Sequence, residues 1–212
     1  MKCNSRAAYF DQRLPTTSVL RLMDDQLIII LRAWGSSDYS LKFTDEVQHY
    51  LSSTQADLEV TTPFDYRENL SSLANRTRVS ILLAHDLFYK NENKNEYLVG
   101  FEATILFKSK NELAWSSVGR FAIDKITDQN FVTYLKNGSD LDTEILLPVQ
   151  LIGVEREIDI SSGSMFVNSD TKIAISSIYK CDLQASDSKN SQDLIDISLG
   201  HGAYWYTVIT QE

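Results

Sequence analysis

The sequence is short of the residues that build several kinds of protein. Its 212 residues include two cysteines, Cys3 and Cys181, too few for a disulfide framework. Eight glycines and three prolines are too few for a loop-rich or low-complexity chain. Three histidines, His49, His85 and His201, are poor material for a zinc site. The longest aliphatic run, Leu27 to Leu31, falls far short of the ~20 apolar residues that span a bilayer. Positive charge is scarce as well: 20 Lys and Arg stand against 29 Asp and Glu, for a net charge of -9. Nucleic-acid phosphates and anionic lipid both call for a basic face, so neither nucleic acid nor membrane is expected as a partner. Residues Met1 to Arg13 lack the apolar core of a secretory signal. The expectation is a soluble, cytoplasmic chain, in which the sequons at Asn69, Asn75 and Asn137 are fortuitous.

What the chain does have is globular: 43% hydrophobic and 23% charged residues. No internal repeat and no linker divides it, so residues 1–212 are expected to form one domain. Thr17 to Leu22 and Gln26 to Ala33 read as two strands joined by a turn at Met23-Asp24-Asp25. Phe43, Val47, Tyr50 and Leu51 recur at helical spacing. Asp65 and Glu68 have capping-box spacing after Pro63, which predicts a long second helix opening at Asp65. From Tyr97 the period changes. Leu98 to Lys108, Glu112 to Ser117 and Arg120 to Ile126 read as a meander, and Phe131 to Lys136 as a short helix. Ile158 to Ile160, Met165 to Val167 and Lys172 to Ile178 read as strands, Ser191 to Leu199 as a helix, and Ala203 to Thr210 as a closing strand. Strands and helices are segregated, which means α+β with mainly antiparallel sheets, and two sheets with helices outside bury this many strands most simply.

Few constellations carry chemistry. No Gly-x-Ser-x-Gly elbow, His-Glu-x-x-His or phosphate loop is present. Cys181 with His85 or His201 would be the material of a thiol nucleophile, but no flanking signature supports that role, and a structural or incidental cysteine is expected. Asp24-Asp25 and the acidic stretch Asp182 to Asp196 read as solvated. Tyr204, Trp205 and Tyr206 alternate on a strand, one face of which is expected in the core.

The element order and several short stretches resemble the metal-dependent protein phosphatases of type 2C, collinearly from about Arg6 to Thr210. Arg6 and Tyr9-Phe10-Asp11 stand where that family has an Arg and Asn-Glu-Asp. The strand Ile28 to Leu31 ends in Arg32-Ala33-Trp34-Gly35-Ser36 where the family has Ala-Asp-Gly-x-Gly-Gly. Gly100-Phe101-Glu102-Ala103-Thr104 matches Gly-Thr-Thr-Ala, and Ser117-Val118-Gly119-Arg120-Phe121 lies where Asn-Val-Gly-Asp-Ser-Arg is found. Ile152-Gly153 matches a Leu-Gly pair. Ser169-Asp170, Ile173-Ala174-Ile175 and Ser176-Ser177-Ile178 match Gly-Asp, three hydrophobics and Ser-Asp-Gly, and His201-Gly202 matches the terminal Asp-Asn.

The resemblance implies an αββα sandwich with a carboxylate-held pair of metals at one end of the sheets. It also implies that this pair is gone. Arg32, Ser177 and His201 stand at the ligand positions, and only Asp11 keeps a carboxylate. A second register, in which Ser169-Asp170-Thr171 is the Ser-Asp-Gly motif, would restore one ligand at Asp170 and leave Arg32 and His201 unchanged. Hard cations need oxygen donors and carboxylate charge, and an arginine cannot deprotonate to supply either. The expectation is therefore a pseudophosphatase with no cofactor, no bound metal and no catalytic residue, whose degenerate site positions are Asp11, Arg32, Ala33, Ser177 and His201. It would act by binding a protein partner as a regulatory or scaffold module, with Trp34 and Arg32 as interaction residues and, in a further idea, the Arg32 fork holding a phosphate. The alternatives are a divergent metal-dependent Ser/Thr phosphatase using Asp11 and Asp170, and an unrelated α+β binding protein.

Overall fold

The computed structural model describes residues 1–8, 14–56, 62–127, 130–136, 148, 150–179, 182–185, 195–198 and 203–210. Two compact units share the chain. One comprises Pro15–Gly119 and Pro148–Phe166; the other comprises Met1–Leu14, Arg120–Leu147 and Val167–Glu212.

The first unit is a five-stranded antiparallel sheet with two helices against it. Its strands are β2 (Thr17–Leu22), β3 (Leu27–Gly35), β4 (Val99–Ser109), β5 (Glu112–Val118) and β8 (Ser161–Phe166), in the order β2-β3-β4-β5-β8. The β2–β3 turn is where the sequence puts it. Met23, Asp24 and Asp25 all have left-handed φ, at 53°, 50° and 63°. The Arg21 guanidinium clasps Asp25 across it and lowers that carboxyl's pKa.

Helix α1 (Ser40–Ala56) buries Phe43, Val47, Tyr50 and Leu51, the expected stripe. Helix α2 (Ser72–Leu87) starts later than its capping-box signal at Asp65 suggests. The buried Asn75 side chain explains the delay. It accepts the Arg67 amide at 2.7 Å and donates to the carbonyls of Arg67, Leu70 and Ser71, which holds residues 67–71 in a loop. Ser71 then caps α2 by accepting the Ala74 amide at 3.1 Å. The helix leaves through a π-turn, Phe88–Glu92.

The core lies between these helices and one face of the sheet. Leu27, Ile29 and Leu31 of β3 and Phe101, Ala103, Ile105 and Phe107 of β4 meet Phe43, Val47, Ala84 and Phe88. The Phe101 ring lies 4.9 Å from Phe43 and 5.0 Å from Phe88. Each large apolar side chain removed from water stabilises the fold by about 1.5–3 kcal/mol.

The second unit is also a five-stranded antiparallel sheet, in the order β1-β12-β9-β6-β7. Its strands are β1 (Lys2–Ala8), β6 (Ala122–Ile126), β7 (Phe131–Leu135), β9 (Lys172–Tyr179) and β12 (Ala203–Thr210). A separate hairpin joins β10 (Asp182–Ala185) to β11 (Ile195–Ser198). Trp205 is buried, its ring 6.1 Å from Phe121, and Tyr206 on the opposite face is buried as well, packed with Ala174 and Val208, so both faces of the strand are covered there.

Several expectations are corrected here. Phe131 to Lys136 is strand β7 rather than a helix, because its β-branched and aromatic residues pair with β6. The helix expected over Ser191 to Leu199 gives way to β11, which pairs with β10; Ser191 itself lies outside the described residues. The third strand of the meander joins the other sheet. Gly119, at φ 99°, turns the chain out of β5, and β6 pairs with β7 and β9 instead. Ile158 to Ile160 is not a strand, and β8 begins at Ser161. β1 has no apolar alternation to announce it and is recruited by β12. Among the described residues no helix is long and apolar enough to cross a membrane.

Candidate functional site

The site expectations rest on the end of β3. Its odd residues face the helices, so the pleat turns Ile28, Ile30 and Arg32 to the opposite face of the sheet. In the ladder Arg32 lies directly between Thr17 of β2 and Glu102 of β4. The guanidinium uses that position fully. Nη1 donates to Glu102 Oε2 at 3.1 Å, while Nε and Nη2 donate to Thr17 Oγ1 at 3.2 Å and 3.0 Å. The Trp34 indole N–H donates to the same Glu102 oxygen at 2.9 Å. Thr104 and Ser117 extend this polar row, their hydroxyls 2.7 Å apart.

Both charged side chains of the pair have 0% exposure. Burying one alone would cost several kcal/mol, and each partner offsets part of that penalty for the other. Gly119 makes room for it: a Cβ there would lie 2.5 Å from Glu102 Cγ. Trp34 is half-buried, and its carbonyl accepts the Tyr97 hydroxyl. Tyr97 is exposed, and what burial it has raises its pKa.

The remaining candidates are divided between the two units or lie outside the described residues. Ala33 faces the helices and packs at the margin of the core. Ser177 lies on β9 of the other unit, opposite Trp205; its hydroxyl is buried and finds no hydrogen-bond partner among the described residues. Asp170 is exposed in the turn before β9. Asp11, Cys181 and His201 lie outside the described residues. His49 and Asp24 are exposed, as expected of solvated residues.

His85 is buried on α2 and structural. Its Nδ1 accepts the Gly153 amide at 3.1 Å, its ring stacks on Tyr89 at 5.6 Å, and burial lowers its pKa.

Arg32 itself is fully buried. The fork is engaged by Glu102 and Thr17 and offers a partner no exposed atom. Trp34 is the partly exposed member of the cluster. Glu102 is the residue whose role sequence reasoning missed. Its signal was the one charged residue in the buried run Val99–Phe107.

This donor set does not fit a divalent cation. Glu102 is the carboxylate of the row, and its Oε2 is taken by a permanent cation and an indole N–H. Among the described residues no group of three or more His, Cys, Asp or Glu side chains could hold a metal.

The chain matches no protein-family model and no curated protein sequence. Its coordinates do match solved structures. PppA of Pseudomonas aeruginosa, described as a key regulatory component of the T6SS, superposes with a TM-score of 0.60 at 9% identity, over 99% of this chain and 97% of that one. The fold is that of the type 2C protein phosphatases. The serine/threonine phosphatase PstP/Ppp of Mycobacterium tuberculosis shares it with a TM-score of 0.56 at 10% identity, over 100% of this chain and 99% of that one. The PPM Ser-Thr phosphatase MsPP of Mycobacterium smegmatis shares it with a TM-score of 0.57 at 11% identity, over 100% and 99%. The type 2C fold thus spans the whole chain while hardly any of the residue identities persist.

Proposed function

We propose that this chain is a catalytically inactive type 2C phosphatase-like domain, residues 1–212 acting together, that works by binding another protein as a regulator or scaffold. The observation that carries this reading is the buried Arg32–Glu102 pair. In the collinear reading Arg32 stands where the family's bridging aspartate would be, with Ala33 beside it and Asp11, Ser177 and His201 at the other degenerate positions. The guanidinium supplies no donor for a cation, and it and an indole N–H occupy the Glu102 oxygen that could have supplied one. Without metals no water is activated for attack on a phosphoester. The regulatory role described for PppA supports a signalling use of this fold, by analogy. Trp34 and Tyr97, joined by a hydrogen bond and both reaching solvent, are the aromatic surface we assign to partner contact at this end of the sheet.

A calorimetric titration of metal-stripped protein with Mn2+ at neutral pH tests the reading. The expected result is no heat above dilution up to millimolar metal. Filling of one or two sites at micromolar Mn2+, with phosphopeptide hydrolysis that is lost in Asp11→Asn, would overturn it in favour of a divergent phosphatase.

A further inference from the structure

Both sheets end in edge strands, and unpaired strand edges are normally protected. β1 carries Lys2 and Arg6, β2 carries Arg21, and the β6–β7 register shifts between Ile123 and Asp124, a bulge that blunts β7. β8 has none of these devices. Its six residues, Ser-Ser-Gly-Ser-Met-Phe, hold no charge and no proline, and they pair with β5 without a register shift from Glu112↔Phe166 to Ser117↔Ser161. Among the described strands nothing pairs with its outer side.

The C-terminal end of β8 opens onto a groove of about 540 Å³ between Phe166, Ser164 and the β4–β5 turn at Lys110 and Asn111. Phe166 is 68% exposed there, the second most exposed large apolar side chain of the described chain. Lys110 has no ion-pair partner among the described residues, and Glu112, which also lines the groove, accepts the Ser71 hydroxyl.

We infer that β8 is a docking edge for an extended segment of a partner protein, which adds to the sheet as a sixth strand. Its main chain bonds the outer edge of β8, an apolar side chain lies on Phe166, and a carboxylate reaches Lys110. This is recognition by strand addition, in which backbone bonds give affinity and alternate side chains give specificity. A second copy of this chain is the poorer occupant. Antiparallel self-pairing of β8 sets Phe166 opposite Ser161, so neither ring gains an apolar neighbour, and it brings together two chains of charge -9. The inference stands apart from the Arg32 site and holds whether or not that site turns over phosphoesters.

The test is selection of a displayed library of random nine-residue linear peptides on the full-length protein. Enriched peptides are expected to alternate β-branched or aromatic residues with polar ones and to carry an Asp or Glu at one end. Their synthetic forms should lose at least tenfold in affinity for Phe166→Ser. Lys110→Glu should shift the preference to Lys-bearing peptides, and methylation of alternate peptide amides should abolish binding. Both variants alter exposed side chains, and an unchanged melting temperature checks their folding. Failure to enrich peptides, or binding indifferent to both variants and to amide methylation, would overturn the inference. Self-association of the protein that Phe166→Ser abolishes would overturn it in favour of a second copy.

Discussion

The imidazole of His85 on α2 accepts the amide of Gly153, a residue 68 positions further along the chain. Gly153 sits at φ 86°, and a Cβ there would lie 2.5 Å from Phe88 Cβ, so the bond fixes a close approach that needs glycine. Acceptance at Nδ1 requires the neutral ring.

Acid should therefore loosen this contact. Burial lowers the His85 pKa below 6.5, outweighing the opposing pull of Asp86, the Arg156 backbone and Glu155; Lys90 adds to the lowering. The unfolded ring takes up its proton first as pH falls. The stability the neutral ring contributes is complete above about pH 6.5 and is lost as pH falls through the lower, folded value. Guanidinium midpoints should show the wild type losing its advantage over His85→Gln between pH 7.5 and 5. Parallel pH profiles would refute this.

The Arg32–Glu102 pair should behave as a unit. Arg32→Leu or Glu102→Leu alone leaves a buried charge and should cost about 3–5 kcal/mol in urea unfolding. The double variant should recover most of that loss, because neither charge is then stranded. Additive losses would mean the two groups are independently solvated.

Asn93 ties three segments. Its Nδ2 donates to Val99 O and Gly153 O, both at 2.7 Å, and its Oδ1 accepts the Leu98 and Val99 amides. Asn93→Ala should cost about 3 kcal/mol, since buried backbone groups lose partners worth ~1–3 kcal/mol each. Asn93→Asp should cost at least as much despite its equal size, because it sets a carboxylate against two carbonyls. Thermal unfolding of the variants checks both.

Ser71 both caps α2 and donates to Glu112. Ser71→Ala should lower stability by about 1 kcal/mol. Ser71→Asp, a good cap elsewhere, should not restore it, because it faces the Glu112 carboxylate.

These residues show what was legible in the sequence. The β2–β3 hairpin, the buried face of α1, β4, β5, β9 and β12 were readable from apolar period and turn residues, and the collinear order pointed to the fold. The errors fell where a distant partner decides local structure. Asn75 holds residues 67–71 out of a helix that their spacing predicts. Ser191 and Gly200 looked like the two ends of a helix, but Ile195 and Ile197 have the i,i+2 spacing of a strand face, and pairing with β10 selected the strand. At the candidate site the substitution at Arg32 was legible, but its consequence was not. Only the β3–β4 register reveals that Glu102, 70 residues away, neutralises it.

The order of β12 in its sheet bears on how the protein is made. β12 lies between β1 and β9, with Lys2 paired to Thr210. β1 leaves the ribosome well before β12 and waits for it about 10–40 s at ordinary rates of synthesis. β2, β3, β4 and β5, by contrast, are consecutive neighbours that can pair as they emerge, with both helices made between β3 and β4. A translation stop just short of Ala203 would leave that first sheet's sequence entire and strip the second of the strand that joins β1 to β9. Truncated products of this gene should therefore keep one unit folded and expose the other to proteolysis.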